Sequence, residues 1–396
     1  VISVDDAISR ISAAVAPLES ETVPLGAGHL RVLASDVHAK IDQPPAPVSA
    51  MDGYAVRLSD TMSTGAALRV IGTAPAGHPF SGNVCVGEAV RIFTGGVVPV
   101  GADAIVIQED VLSEDERIVL RASAETKHIR AAGLDFRKGD VLVEAGRRLT
   151  ARDLALIAAG DIASVDVRRK PVVAFAATGD ELSRPGDAHR PGGIVASSGY
   201  ALCALIGNWG GQPLDLGIVP DTVEALQRIP ERIVRSDVVV TMGGASVGDH
   251  DIVQKALAPK GFALDFWKIA MRPGKPLIFG RLNGKPFLGL PGNPVSSYVC
   301  ALLFLEPLIS GLLGTPAQLR RETARLAGTL KQNDSRQDYI RARLFTRDGK
   351  RWAEPFPIQD SSMQAALARA DALIVRALDA PSAGHGDRVE IVRLQD

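Results

Sequence analysis

Between residues 171 and 313 short apolar runs alternate with longer helix-like segments, and this alternation limits the fold more than any other feature of the chain. VVAFAAT (172–178) and SDVVVTM (236–242) are nearly continuous apolar runs, the pattern of strands buried on both faces. PLDLGIV (213–219) and ALDFWKIA (263–270) read as further strands. SGYALCALIGN (198–208), DTVEALQRIPERIV (221–234) and DIVQKAL (251–257) read as helices between them. Strands joined through helices need crossover connections, and crossovers produce a mainly parallel sheet covered by helices. LIFGRL and PFLGL flank Asn283-Gly284, a two-residue hairpin signal. The apolar helix PVSSYVCALLFLEPLISGLL (294–313) then closes an α/β domain expected over 171–318.

The flanking sequence predicts a multidomain protein. Residues 1–44 read as a helix followed by an extended stretch, LRVLASDV, and a Pro-rich joint at 42–47. TARDLALIAAG (150–160) is a helix with Thr150 as N-cap and Gly160 as C-cap. It brings the chain back, so 1–44 and 144–170 form one discontinuous, elongated N-terminal domain. Within it, 45–143 is a β-rich insertion, where runs such as AVRIF and AIVIQ are broken by Gly and Pro turns. Residues 319–396 return to alternation (YIRARLF, ALIVR, RVEIVRL), with a turn at Asp348-Gly349, and read as a small C-terminal β domain.

Composition removes several function classes. A formal net charge of −1 lacks the basic excess of a general nucleic-acid binder. No uninterrupted apolar run reaches the ~18 residues of a membrane span. VISVDDAISRISAAV lacks the basic-then-apolar order of a signal peptide, so a soluble, cytoplasmic protein is expected. Cys85, Cys203 and Cys300 are far apart with no CxxC pair, which argues against zinc, iron–sulfur and disulfide frameworks.

The chemistry is expected beyond the carboxyl ends of the parallel strands, where ligands sit in open α/β sheets. The loops there are Thr178-Gly179-Asp180-Glu181, then Gly243-Gly244-Ala245-Ser246-Val247-Gly248-Asp249-His250-Asp251, and Leu290-Pro291-Gly292-Asn293-Pro294. Glycines let backbone N–H groups approach an anion, and the helix start at Pro294 suits phosphate. Loop carboxylates are hard oxygen ligands for Mg²⁺. Any one such loop is ordinarily a plain turn; at corresponding strand ends they suggest a phosphorylated substrate with magnesium. Lys268, Arg272 and Lys275 lie within eight residues, next to two stiffening prolines, a set suited to a multivalent anion. Neither GxGxxG nor GxxxxGK[ST] occurs.

Taken in order, SAMDGYAVR (49–57), RIFTGGVVPVGADAIVIQED (91–110), IRAAGLDFRKGD (129–140), ATGDEL (177–182), GGASVGDHD (243–251), KIAMRPGKP (268–276) and LPGNPVSS (290–297) closely resemble the molybdopterin molybdenumtransferase family, which includes the E-domain of gephyrin. The resemblance implies that adenylylated molybdopterin and molybdate bind, molybdate passes to the dithiolene sulfurs, and AMP is released with Mg²⁺ present. It implies an elongated homodimer whose active sites lie between the α/β domain of one chain and the β-rich region of the other. Carried over, Asp52, Thr94 and Asp135 face the partner's site. Glu181, Asp221, Gly243, Gly244, Ser246, Asp251, Lys268, Arg272, Lys275, Pro291, Gly292 and Pro294 line the α/β side, with Arg341 a further anion contact. Asp52, Asp135, Glu181 and Asp251 are the expected catalytic acids, and Asp52, Glu181 and Asp251 the expected metal ligands. A molybdopterin adenylyltransferase and molybdoenzyme chaperones are the expected partners, with no nucleic acid and no membrane.

This chain departs from the family pattern where Ala196-Ser197-Ser198 replaces an Asp-Ser-Asn run, so Ser198 lacks an amide that donates and accepts. Ala245 and Arg272 are milder departures. The rival readings are nucleotidyl transfer of the adenylyltransferase type, which leaves SAMDGYAV without a purpose, and a scaffold protein built on the same module.

Overall fold

The computed structural model of the chain describes residues 1–188, 191–244, 250–317, 319 and 321–394, without the side chains of His250, Asp251 and Gln254. It divides into two compact units, Val1–Glu21 with Arg168–Asp396, and Thr22–Val167.

In the first unit a six-stranded sheet runs in the order Gln212–Val219, Val172–Thr178, Val238–Met242, Lys285–Leu290, Ile278–Leu282, Phe262–Trp267. The first four strands are parallel. The apolar runs explain why: Val173 to Ala176, Val238 to Val240, and Phe287 with Leu288 are all buried, as strands covered on both faces must be. The last strands pair antiparallel through a hairpin joining Leu282 to Lys285. Asn283 (φ 51°) and Gly284 (φ 82°) supply the positive angles of a type I′ turn. Because Val172–Thr178 is flanked by the second and third strands in chain order, the strand order reverses beside it. The crevice for a ligand therefore opens at Thr178 and Gly243.

Two helices differ from their sequence patterns. DTVEALQRIPERIV is split into Val223–Leu226 and Ile229–Arg232, because Pro230 tolerates only the first turn of a helix. The helix over 294–313 carries a π turn, Ala301–Leu305, immediately before Glu306-Pro307, where the proline cannot donate to the regular ladder. That helix is long and apolar enough to cross a bilayer, but 83% of its most apolar window is buried within the protein, which makes it a core helix.

The N-terminal boundary also differs. Helix Val4–Ala13 buries Val4, Ala7 and Ile11, a stripe at helical spacing, and Leu18 N–H bonds Leu312 O at 2.8 Å. Residues 1–21 therefore belong with the α/β unit rather than with residues 22–44.

The C-terminal strands close on themselves: Gln337–Arg347 pairs with Lys350–Pro355 on one edge and with Ala372–Arg376 on the other. Met271–Arg272 adds to this sheet by pairing with Gln337 and Asp338, which ties the expected cation segment to the C-terminal domain.

In the second unit, Gly53–Val56, Glu88–Ile92, Ala67–Ala74 and their neighbours form a mixed sheet. Beside it Leu33, Val37, Val143, Leu149, Ile157 and Val167 share one core, so segments on both sides of the insertion pack together. LRVLASDV makes isolated bridges, Val32 to Arg148 and Leu33 to Val167, and its last residue starts the two-residue strand Val37–His38, paired with Val141–Val143. Helix Ala151–Ala159 is held by a capping box between Thr150 and Asp153 and ends at Gly160.

Candidate functional site

A cavity of about 1040 Å³ opens at the carboxyl ends of the parallel strands. Glu181, Asp221, Gly243, Gly244, Arg272, Lys275, Pro291, Gly292 and Pro294 all line it, drawn from separate strand ends. Gly243 is required by close approach, whereas Gly292 has ordinary contact room. A Cβ on Gly243 (φ 101°) would lie 2.5 Å from Thr178 O, and one on Gly292 would lie 3.5 Å from Gly243 Cα. Glu181 folds its carboxylate back against Gly179, where a Cβ would meet it at 2.5 Å.

Hydrogen bonding changes what these groups offer. Gly243 N–H is already given to Leu290 O at 3.1 Å, and Val295 N–H, in the first turn of its helix, to Ser361 O at 3.1 Å. The helix cap Asn293 turns its amide to Ser361 Oγ at 2.9 Å instead of capping. Thr178 Oγ1 is buried with no hydrogen-bond partner among the described residues.

The cations divide into three cases. Lys275 lines the cavity and has no ion-pair partner among the described residues. Arg272 lines it too, but its guanidinium is tied to Asp338, to Asp334 at 3.3 Å and to Asn333 at 3.4 Å. Lys268 is not among the lining residues; its Nζ sits 3.6 Å from the centroid of the Trp267 ring, a cation–π contact.

Arg341 does not face the cavity. It is 1% exposed, and it donates to Gln359 Oε1 (3.2 Å), Met363 O (3.1 Å) and Asp360 O (2.9 Å). The arginine expected to meet an anion instead secures the segment 359–363 from behind, because inward-facing strand positions of a closed sheet are covered. Ser246 and the side chain of Asp251 lie outside the described residues, although Asp251 falls on helix His250–Leu257.

In the other unit, Asp52 Oδ1 accepts both Thr94 N–H and Thr94 Oγ–H at 2.8 Å each. The Thr94 amide and then its hydroxyl hold the Asp52 carboxyl below the usual aspartate range, with a smaller contribution from the Arg91 guanidinium. Arg91 lies between the rings of Tyr54 and Phe93 at 4.9 and 5.1 Å and donates to Gly53 O. Asp135 is exposed, and its N–H bonds Gln43 O at 2.9 Å.

Comparison with known proteins decides the lineage. Residues 2–160 match the family model of the MoeA N-terminal region (domain I and II), 174–311 the probable molybdopterin binding domain, and 323–394 the MoeA C-terminal region (domain IV). The molybdopterin molybdenumtransferase of Haemophilus influenzae is 35% identical over 95% of this chain and 94% of its own. The one from Bacillus subtilis is 34% identical over 94% and 90%. A solved molybdopterin biosynthesis moea protein from Pyrococcus horikosii superposes with a TM-score of 0.88 at 32% identity, covering both chains in full. The chain belongs to the molybdopterin molybdenumtransferase family. It is thus a transferase of molybdenum cofactor biosynthesis, and the nucleotidyl-transfer and scaffold readings are not favoured.

Within this family member, sequence reasoning missed the wall supplied by the C-terminal domain: Arg336, Gln359, Asp360, Ser362 and Gln364. QDSSMQ is an ordinary polar loop in sequence, and no spacing signals that it folds onto a distant strand end. Ser362 holds the Asp360 carboxyl low, through its hydroxyl first and then its amide.

Among the described residues no three His, Cys, Asp or Glu side chains gather around one point. Mg²⁺ seldom needs such a cage; it takes one or two carboxylates and completes its shell with phosphate and water. Glu181 and Asp221, on one cavity, suit a magnesium that arrives with phosphates. Asp52 has one oxygen committed to Thr94.

Proposed function

We propose that this enzyme inserts molybdate into adenylylated molybdopterin and releases AMP, with Mg²⁺ required. The observation that carries the reading is the cavity at the strand-order reversal. There the glycine-lined strand ends, Lys275, which has no ion-pair partner among the described residues, and the carboxylates Glu181 and Asp221 converge on a space large enough for a dinucleotide-sized ligand.

The residues divide the work. Gly243, Gly244 and Gly292 keep side chains out, so the ligand's phosphates lie against backbone. Lys275 supplies a mobile positive charge to the phosphates or to molybdate. Arg272 presents a guanidinium whose charge is shared with Asp334 and Asp338, which makes it a positioner of polar oxygens more than a source of net charge. Bound magnesium would supply charge neutralisation of the phosphoanhydride, held by Glu181 and Asp221. Asp52, presented with one oxygen fixed by Thr94, supplies a carboxylate of defined orientation; Asp135 is its neighbour in role.

Family resemblance assigns Asp52, Thr94 and Asp135 to the site of a second protomer, so we read the working form as a cytoplasmic homodimer with shared sites. Molybdopterin adenylyltransferase would deliver the substrate and molybdoenzyme chaperones would take the product. The test is incubation with adenylylated molybdopterin, molybdate and Mg²⁺, following AMP and the ability of the product to activate an apo-molybdoenzyme.

A further inference from the structure

We propose that Gln364, carried by the C-terminal domain, is a substrate contact that reads the hydrogen-bonding edge of a heterocycle. The assignment rests on the proposed function and adds a residue that neither motif nor charge indicated.

Gln364 lines the cavity, and its Nε2 donates to Ser197 Oγ on the facing wall at 2.5 Å, spanning two domains of one unit. Its base is firmly held. The segment leading to it is anchored from behind by the buried Arg341 through Gln359, Asp360 and Met363. From the front, Asn293 Nδ2 and Val295 N–H bond Ser361. A side chain on so fixed a base has a defined reach into the cavity.

Its chemistry differs from that of the charged groups in the lining. Of the three lining carboxamides, Gln359 is used up: its oxygen accepts from Arg341 N and Nε, and its nitrogen donates to Arg341 O and Phe356 O. Asn293 gives its amide N–H to Ser361 Oγ and so helps hold the loop that carries Gln364. Gln364 is held only by a rotatable hydroxyl, and its oxygen accepts from no described residue. An available carboxamide offers a donor and an acceptor side by side. That pair is the complement of an amino group next to a ring nitrogen, present on a pterin and on adenine alike. The cavity's cations and carboxylates serve phosphate and metal, so a neutral bidentate group is left for a base. Ser197 holds Gln364 in place until the ligand exchanges for it.

The experiment is calorimetric titration of wild type and Gln364→Ala with AMP, with adenylylated molybdopterin and with molybdate alone. A lost bidentate contact between neutral groups weakens binding about tenfold. We expect that loss for adenylylated molybdopterin, with molybdate affinity unchanged. An equal loss for AMP identifies adenine as the edge; unchanged AMP binding identifies the pterin. Equal weakening of all three ligands would mean Gln364 only latches the domains, and unchanged affinity for adenylylated molybdopterin would mean it touches nothing; either overturns the assignment alone. Wild-type protein that binds neither organic ligand overturns the proposed function together with it.

Discussion

One carboxylate oxygen of Asp52 takes both the amide and the hydroxyl of Thr94, each at 2.8 Å, leaving the acid oriented and ionised. Thr94→Val removes the hydroxyl donor but keeps the amide and the side-chain shape. The Asp52 pKa, held low by Thr94, should then rise toward the ordinary aspartate value, as carbon-detected NMR titration would record. A folded pKa below the unfolded one stabilises the fold above the unfolded value and is lost as pH falls through the folded one. The variant should therefore show a smaller acid-side loss of stability. An unmoved Asp52 titration would mean the bond does not form in solution.

Lys275→Ala should weaken binding of adenylylated molybdopterin by roughly tenfold to a hundredfold, the worth of one charge-assisted hydrogen bond. Its melting temperature should match wild type, because Lys275 has no ion pair to lose among the described residues. The salt dependence of binding should become shallower. Arg272→Ala should differ by also lowering the melting temperature, since it removes the ion-pair partner of Asp338, while Asp334 keeps Arg336. Identical thermal behaviour of the two variants would contradict this division.

Gly243→Ala places a Cβ 2.5 Å from Thr178 O at a φ of 101°. Thermal unfolding should report a loss of about 1–3 kcal/mol, the scale of a strained backbone position. Ligand binding should fall as well, because the strand ends at the reversal would have to part. Wild-type stability would show that this loop has room the structure denies it.

Much of this was legible beforehand, for identifiable reasons. Buried parallel strands such as Val172–Thr178 announce themselves by unbroken apolar runs, and Asn283-Gly284 and Thr150 mark a turn and a cap by local chemistry alone. The lining residues Glu181, Gly243 and Gly292 lie on loops that follow such strands, so element order places them; Lys275 follows the antiparallel edge strand Phe262–Trp267 and stood out by charge instead. Arg341 and Gln364 carry no local signal of their roles, which depend on long-range closure of the C-terminal sheet. A strand arginine looks the same whether it faces outward or supports a loop. Likewise the helix Val4–Ala13 carried a clear apolar stripe, but nothing local said which core would receive it.

Away from the cavity, Arg169 donates to both oxygens of Asp237 at 2.9 Å, and Val172 N–H adds a third bond at 2.7 Å. Burial alone would raise the Asp237 carboxyl, but these bonds outweigh it and hold the group below its usual range. Its stabilisation should be complete above the unfolded aspartate pKa and fade as pH falls through the lower folded value. Asp237→Asn should cost about 1–3 kcal/mol at neutral pH and flatten the acid limb of the stability curve, measured by denaturant titration. An unchanged acid limb would place the acid sensitivity elsewhere.

The most direct test of the account measures AMP released from adenylylated molybdopterin by the purified enzyme, with and without molybdate and Mg²⁺. AMP should form in step with molybdenum incorporated, with no adenylylated product from ATP and molybdopterin. AMP release indifferent to molybdate, or adenylylation from ATP, would contradict it.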